Sequence, residues 1–229
     1  MRNLFCLLFL SCVMAETEVF SAEYEVFWKG WPCGAMQSKL AKLDNGDYRY
    51  EQTVKSHLFF YRFEQKESSI FSCIENELIP KNYYYYKDQT QKSREEYQLS
   101  FYANGIEYKD IANKKIKNIQ TKGLAVFDKL SLQLQLIMKL QSMHDGEIQV
   151  AHIDHQGIHE RFYKVKESES NIYLESISSG GKISKFTLNT EKGFFPIEFE
   201  QKKGDHSYLK GSVTKVDIHE LWNNFYIKR

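Results

Sequence analysis

The sequence has few prolines and glycines, and its one strongly apolar run stands at the start. Three prolines and twelve glycines in 229 residues exclude a collagen-like chain and a linker rich in these residues. After residue 15 no apolar stretch approaches the ~20 residues that a membrane-spanning helix needs. We therefore expect one β-rich domain over residues 16–229, with no transmembrane segment in the mature chain.

The sequence also lacks an excess of charge of either sign. It has 31 Lys and Arg against 30 Asp and Glu, for a net charge of +1. Removal of Arg2 with a leader peptide would bring the net charge to zero. A neutral protein has no global field that attracts phosphates, so we predict no nucleic-acid partner. The basic cluster Lys114, Lys115 and Lys117 is explained by a solvated loop.

The common catalytic motifs are missing. There is no G-x-S-x-G elbow, no phosphate-binding glycine loop and no dinucleotide fingerprint. We predict no catalytic residue and no cofactor, and the sequence offers no positive support for an enzyme.

A histidine cluster raises the question of a metal site. His152, His155 and His159 would suit a metal on a helix. However, Asp154-His155-Gln156-Gly157 has the composition of a hairpin turn. We therefore expect cross-strand neighbours rather than metal ligands, and we predict no metal.

The first fifteen residues indicate export. Arg2 precedes the apolar run 4–14, and Val13-Met14-Ala15 places small residues at the −3 and −1 positions of a cleavage site. This is the pattern of a cleaved signal peptide. We predict a signal peptide over residues 1–15 and a periplasmic location. The alternatives are an uncleaved anchor and a lipoprotein anchored through Cys12.

Cysteine is scarce, with four in the chain. Cys6 and Cys12 would leave with the signal peptide. In an oxidising compartment the remaining pair, Cys33 and Cys73, predicts a disulfide. The alternative is that Cys33 and Cys73 both remain buried thiols without a disulfide.

Aromatic residues are abundant, at 15% of the chain, which favours β-strands. Turn signals occur at 44–47, 104–105, 154–157, 179–181 and 202–205. The segments between them alternate apolar and polar residues, and about eleven or twelve strands fit. We predict a large curved antiparallel sheet or an incompletely closed β-barrel.

One segment has helical periodicity instead. Apolar residues at 127, 130, 134, 137 and 138 predict a helix over about 127–142 that packs against the sheet. The segment from Asp217 to Phe225 suits either a short helix or a last strand.

Four consecutive tyrosines, residues 83–86, suggest either a ligand surface or strand packing. On a strand, Tyr83 and Tyr85 share one face and Tyr84 and Tyr86 the other. We name Tyr83, Tyr85 and Trp28 as candidate ligand-binding residues, while cross-strand packing is the plainer interpretation.

The order of several short motifs resembles the exported bacterial proteins of domain-of-unknown-function family 3108. The resemblance spans roughly residues 20–215. The motifs are Tyr24-x-Val26-x-Trp28-x-Gly30, Gly34, Asp47-Tyr48-Arg49-Tyr50, Glu77-Leu78-Ile79-Pro80 with the tyrosine run, Phe127-Asp128-Lys129-Leu130-Ser131, Phe162-Tyr163-Lys164-Val165 and Phe195-Pro196-Ile197. Family members often have Trp before the proline of the last motif, where this chain reads Phe186-Thr187-Leu188-Asn189. The resemblance implies an exported, mostly antiparallel β protein, similar in shape to periplasmic lipoprotein carriers.

Three functions follow as hypotheses. The first is non-enzymatic binding of an amphiphile, such as a lipid or a lipoprotein, in a curved sheet. The second is a structural or protein-interaction component of the envelope. The third, which nothing in the sequence specifically supports, is a hydrolase. The carrier requires a cavity of roughly 300 Å³ or more, and the interaction component requires a filled interior with an exposed apolar patch.

Overall fold

The structure, a computed structural model, describes residues 16–58, 60–143, 145–177, 182–191, 194–203, 206–220 and 222. The predicted signal peptide and Cys12 lie outside these residues, as do the turn at 179–181 and residues 204–205. Cleavage after Ala15 and the periplasmic location therefore stay predictions.

Within the described residues, the chain forms fifteen strands and one α-helix. The strands are β1 (Glu16–Trp28), β2 (Trp31–Leu43), β3 (Tyr48–Leu58), β4 (Tyr61–Ile74), β5 (Glu77–Gln89), β6 (Glu95–Tyr102), β7 (Gly105–Asp110), β8 (Lys115–Gln120), β9 (Val126–Phe127), β10 (Gly146–Asp154), β11 (Gly157–Ser168), β12 (Asn171–Ile177), β13 (Lys182–Asn189), β14 (Phe195–Lys203) and β15 (His206–Ile218). The helix, α1, is Lys129–Leu140. No helix in the described part of the chain is long and apolar enough to cross a membrane.

All fifteen strands belong to one sheet, in the order β8 to β1 followed by β15 down to β9. Each half is a meander of antiparallel neighbours, apart from the short parallel pair of β9 and β10. The two halves join where β1 pairs with β15, with Phe20 opposite Ile218 and Trp28 opposite Leu209. The predicted large antiparallel sheet is therefore confirmed.

The chain connection between the two edge strands forces this sheet to curl. A flat sheet of this width would measure about 67 Å, at about 4.8 Å for each strand spacing. Yet β8 ends at Gln120 and β9 begins at Val126, which brings the edges within about 22 Å of each other. The result is a curved, incompletely closed barrel.

The turns lie at two opposite ends of this barrel. One end carries the β1–β2, β3–β4 and β5–β6 turns, because Trp28 pairs with Trp31 and Leu58 with Tyr61. We call it the mouth. The other end carries the β2–β3 and β4–β5 turns, and we call it the closed end. The β10–β11 hairpin turns at the mouth, with His152 opposite His159, which confirms that prediction.

The helix begins where the sequence supplies a strong cap. Asp128 has extended backbone angles and accepts hydrogen bonds from the backbone nitrogens of Leu130 and Ser131 at 2.9 and 3.0 Å. This contact satisfies donors that have no partner within the helix. The observed helix, Lys129–Leu140, confirms the predicted helix of 127–142 with slightly shorter ends. It packs against β3, β4, β5, β9 and β10 on the inner side of the sheet.

Aromatic side chains fill the closed end. The ring of Phe20 lies edge-on to Trp222, Phe195 and Tyr50, with centroid distances of 4.7, 5.3 and 5.7 Å. Trp222 and Phe195 are fully buried. Such edge-to-face pairs add to the free energy gained from burial.

The segment from Asp217 is predicted to be either a short helix or a last strand. Asp217 itself belongs to the last strand, β15.

The predicted disulfide between Cys33 and Cys73 is wrong, since neither residue is in a disulfide. Cys33 lies on β2 and Cys73 on β4, with β3 between them. Gly34, next to Cys33, pairs with Ser56, and Ser56 pairs with Phe63. Cys73 is ten residues beyond Phe63, or about 33 Å along the strand. A disulfide needs Cα atoms within about 7 Å.

Candidate functional site

The concave side of the sheet encloses a cavity of about 1160 Å³. Its wall is formed by side chains from β1 to β6 and from β10 to β15, together with one face of α1. At the closed end, fully buried residues such as Phe20, Phe71 and Leu99 separate it from solvent. At the mouth, lining residues such as Trp28, Leu58 and Gln89 are the last of their strands. The cavity therefore opens at the mouth.

The inner part of the cavity is mainly apolar. Helix α1 contributes Leu132, Leu136 and Ile137, which are all buried. They face apolar side chains of the sheet: Tyr24, Val26, Met36, Val54, Ile153, Tyr163, Leu174, Phe186, Leu188 and Pro196. The spacing of the leucines along α1 places them on the same side of the helix. An apolar group would be removed from water here.

Polar side chains replace apolar ones toward the mouth on part of the wall. On β5 the lining residues run from Tyr83 and Tyr85 to Lys87 and Gln89. On β13 they run from Leu188 and Phe186 to Ser184 and Lys182. On β1 and β2, by contrast, the wall stays apolar to the rim, with Val26, Trp28 and Cys33. Strands β3 and β4 reach the rim with Leu58 and Tyr61 but also contribute the polar Gln52, Ser56 and Gln65. The cavity is thus amphipathic along its axis.

A tyrosine cluster lines one side. The ring of Tyr97 stacks on Tyr85 with a centroid distance of 4.9 Å and lies 6.0 and 5.3 Å from Tyr83 and Tyr108. Burial raises the pKa of the Tyr83, Tyr85 and Tyr97 hydroxyls above the ordinary value. The phenols are therefore neutral and act as hydrogen-bonding groups only.

Behind Tyr83 lies a buried carboxylate, Glu67. It accepts a hydrogen bond from the Tyr83 hydroxyl at 2.5 Å and further bonds from Gln65 and from the ammonium of Lys129 on α1. Glu67 is almost fully buried, whereas the Lys129 side chain is half exposed. A buried charge is tolerated when it is paired and hydrogen-bonded. This network fixes the tyrosine wall to the helix.

A second polar link joins β3 to the helix. The amide nitrogen of Gln52 donates to the Tyr50 hydroxyl at 2.8 Å and to Oε1 of Gln133 at 3.0 Å. Burial is the main reason that the pKa of Tyr50 is raised to about 12. These three polar groups satisfy one another where β3 meets α1.

The histidines of the β10–β11 hairpin stand beside the tyrosine cluster, with the His155 ring centroid 6.5 Å from that of Tyr97. Nδ1 of His152 lies 3.1 Å from the carbonyl oxygen of His159, and the His152 and His159 rings are 5.5 Å apart. Burial, with a contribution from Arg161, lowers the pKa of His152 to about 4. His152 is therefore neutral near pH 7, and it adds an uncharged side chain to the cavity wall.

The structure places all three sequence-predicted site residues in the cavity wall. Tyr83 and Tyr85 line it from β5, and Trp28 lines it from the end of β1. Tyr84 and Tyr86 do not line it; the Tyr84 hydroxyl instead donates to Glu96 at 2.8 Å. Ligand binding by these residues stays a prediction. Sequence reasoning missed the lining contributed by α1 and β13, since alternation alone does not say which face of a strand is concave.

No protein-family model matches the sequence, and no curated protein matches it either. Among solved structures, the chain is similar to a crystal structure described as a β-barrel-like protein of domain of unknown function DUF1849 from Brucella abortus. The TM-score is 0.61 with 10% sequence identity, over 89% of this chain and 98% of that chain. A likeness at this identity concerns the fold and not the activity. The chain therefore has the fold of a β-barrel-like domain of unknown function, and the finding does not extend to family 3108.

Proposed function

We propose that this chain is an exported cell-envelope protein that binds an amphiphile, such as a lipid or the acyl chains of a lipoprotein, without chemical conversion. The observation that carries the proposal is the open cavity of about 1160 Å³, which slightly exceeds the ~300–1000 Å³ typical of small-molecule sites. A solid core would leave no such volume.

The distribution of polarity in the cavity also supports an amphiphile. The apolar tail would lie against Leu132, Leu136 and Ile137, where its burial contributes about 0.8 kcal/mol for each methylene group. The polar head would lie toward the mouth, near Lys87 and Lys182. The resemblance to family 3108 and the export signal belong to this proposal and rest on the sequence.

One observation favours the second candidate, a protein-interaction component. Strand β8 is an edge of the sheet, its side chains are almost all exposed, and Ile116 is 61% exposed. An edge strand offers backbone groups to a strand of a partner. However, Lys115 and Lys117 on this strand are the kind of charged residues that discourage such pairing.

The cavity is tested by filling it. In a chain beginning at Glu16, where the first strand begins, a fluorescent fatty-acid analogue should bind and be displaced by an unlabelled fatty acid. Ser56→Trp places an indole in the cavity, whereas Lys55→Trp places the same group on the opposite, exposed face of β3. We expect Ser56→Trp to weaken binding by about tenfold or more, equivalent to ~1.4 kcal/mol, with little effect of Lys55→Trp. Absence of probe binding, or equal loss in both variants, would contradict the proposal.

A further inference from the structure

We propose that the mouth end of the barrel docks onto a membrane surface rich in anionic lipids. The surface concerned is the outer rim, which shares Trp28, Tyr61 and Lys92 with the cavity wall. Docking is a contact outside the cavity, so this inference goes beyond the proposed ligand binding and can fail separately from it.

The rim has four exposed aromatic side chains on two neighbouring turns. Trp31 is 72% exposed and Phe60 96% exposed, and Trp28 and Tyr61 are each 42% exposed. Trp28 pairs with Trp31 across the β1–β2 turn, and Tyr61 follows Phe60 in the β3–β4 turn. We call these four residues the rim patch. Aromatic residues of this kind, Trp and Tyr above all, are favoured at the boundary between lipid headgroups and acyl chains.

The rim patch continues into the cavity. Trp28 and Tyr61 line the cavity wall, while the more exposed Trp31 and Phe60 do not. On β1 and β2 the wall stays apolar up to the rim, with Val26, Trp28 and Cys33. A membrane in contact with the rim patch would therefore meet an apolar path that leads inward.

Charge is distributed unevenly between the two ends. Among the described residues that connect elements, those at the mouth are cationic: Lys29, Lys92, Arg94 and Lys114. Those at the closed end are mainly acidic: Asp44, Asp47, Glu75, Asp145, Glu169 and Glu191. Lys122 is the one cation among them, and Asp47 is ion-paired with Lys81 of β5. Arg94 is ion-paired with Glu96, whereas Lys29, Lys92 and Lys114 are exposed. Cationic side chains beside an apolar patch attract anionic headgroups.

Lys29 also has a suitable position within the rim patch. Its ammonium nitrogen lies 4.7 Å from the centroid of the Trp28 ring. A lysine in such a place keeps its charge in the headgroup layer while its methylene groups contact apolar surface. The aromatic and cationic features of the rim therefore fit the same interface.

The closed end provides an internal contrast. It also exposes apolar side chains, including Tyr102 at 64% and Ile79 at 46%. Ile79 lies near the β4–β5 turn, whose Glu75 would repel anionic lipids, whereas the β6–β7 turn beside Tyr102 has no charged residue. A second copy of the chain is disfavoured at the mouth because it would bring two sets of cations together. Exposure alone therefore does not select the mouth, but exposure combined with charge does.

Vesicle co-sedimentation tests the proposal. The protein is the chain from Glu16, which contains every described strand and the helix and lacks the apolar leader that would itself bind lipid. It should sediment with vesicles of phosphatidylcholine containing phosphatidylglycerol and much less with phosphatidylcholine alone. Binding should fall with salt, since ionic screening weakens attraction between exposed charges.

Paired variants locate the contact. Trp31→Ser/Phe60→Ser removes the two most exposed aromatics of the rim patch, and Ile79→Ser/Tyr102→Ser removes similar apolar area at the closed end. We expect a loss of about tenfold or more for the first variant and less than about twofold for the second. Lys29→Gln/Lys92→Gln should likewise weaken binding by roughly tenfold. Lys122→Gln/Lys166→Gln should not, since Lys122 connects β8 to β9 and Lys166 lies near the end of β11, both at the closed end. Circular dichroism confirms that each variant is folded.

A spectroscopic measurement gives the orientation directly. Phospholipids with brominated acyl chains should quench the fluorescence of Trp28 and Trp31. The variant Trp28→Phe/Trp31→Phe keeps the buried Trp222 alone and serves as the reference for quenching away from the membrane. Absence of sedimentation with either vesicle, equal loss in the rim and closed-end variants, or no quenching would overturn the docking. Protein that sediments but binds no fatty-acid analogue would support docking and contradict the cavity proposal, and the reverse result would contradict docking alone.

Discussion

The hydroxyl of Tyr83 donates a 2.5 Å hydrogen bond to the buried carboxylate of Glu67. The same carboxylate pairs with Lys129 on the helix, so a tyrosine of the cavity wall is connected to α1 through one acid. This contact gives the tyrosine run a structural role in addition to any contact with a ligand.

Removal of the Tyr83 hydroxyl should destabilise the fold. Tyr83→Phe leaves Glu67 buried with one donor fewer, and hydrogen bonds to charged groups contribute about 1.5–3 kcal/mol. Tyr84→Phe removes a hydroxyl that bonds Glu96 on the half-buried outer face, where the expected cost is below about 1 kcal/mol. Urea unfolding measures both. A larger loss for Tyr84→Phe than for Tyr83→Phe would show that the Glu67 contact does not stabilise the fold.

Asp128 should make stability depend on pH in the opposite direction to most carboxylates. Burial is the main cause that raises its pKa from 3.8 to about 6. The folded state therefore binds the proton more tightly than the unfolded state, and this group's contribution falls as pH rises from about 4 through 6. The change is about 3 kcal/mol. Asp128→Asn keeps an acceptor for the helix cap but does not titrate.

The measurement is the difference in unfolding free energy between the wild type and Asp128→Asn at several pH values. The wild type should lose stability relative to the variant between pH 4 and 7. Asp110→Asn is the control with the opposite sign, since hydrogen bonds from Asn113 lower the pKa of Asp110. A difference for Asp128→Asn that is constant with pH, or that favours the wild type at high pH, would contradict the raised pKa.

His152 should make the protein sensitive to acid. Its pKa is lowered from 6.5 to about 4, so the folded state binds fewer protons than the unfolded state between these values. Its contribution is fully present above pH 6.5 and is lost as pH falls toward 4. His152→Gln should reduce this loss, whereas the exposed His206→Gln should not. An NMR titration that finds His152 half protonated near pH 6.5 would rule the prediction out.

The two cysteines should behave as thiols. Reductant should leave the thermal midpoint unchanged, because no crosslink between Cys33 and Cys73 restrains the unfolded chain. Loss of a native disulfide typically costs 2–5 kcal/mol, whereas Cys73→Ser should cost less than about 2 kcal/mol. Thiol labelling of protein unfolded without reductant should modify both residues. Recovery of an intramolecular Cys33–Cys73 crosslink would disprove the register of β2 to β4.

Local features of the fold were predictable from the sequence. The apolar spacing predicts the helix, although not its cap at Asp128, and the Asn104-Gly105 and Asp154–Gly157 signals predict turns that the structure contains. The alternation of residues 83–86 predicts that Tyr83 and Tyr85 share a face. Each of these depends on residues close in sequence, where backbone geometry dictates the outcome.

Features that depend on distant residues were not predictable. The pairing of β1 with β15 joins Phe20 to Ile218, and nothing local indicates it. The two-residue strand β9 and the exposed strand β8 lack clear alternation, so the expected eleven or twelve strands proved too few. The disulfide prediction failed because cysteine number and compartment carry no information about strand register.

The binding of an amphiphile in the cavity is tested most directly by native mass spectrometry of the protein purified from the envelope of the cells that make it. We expect the wild type to carry a lipid adduct that dissociates on activation, and Ser56→Trp to carry much less. Lys55→Trp should resemble the wild type. A wild-type protein of its bare polypeptide mass, together with a fatty-acid analogue that does not bind, would contradict the proposed function.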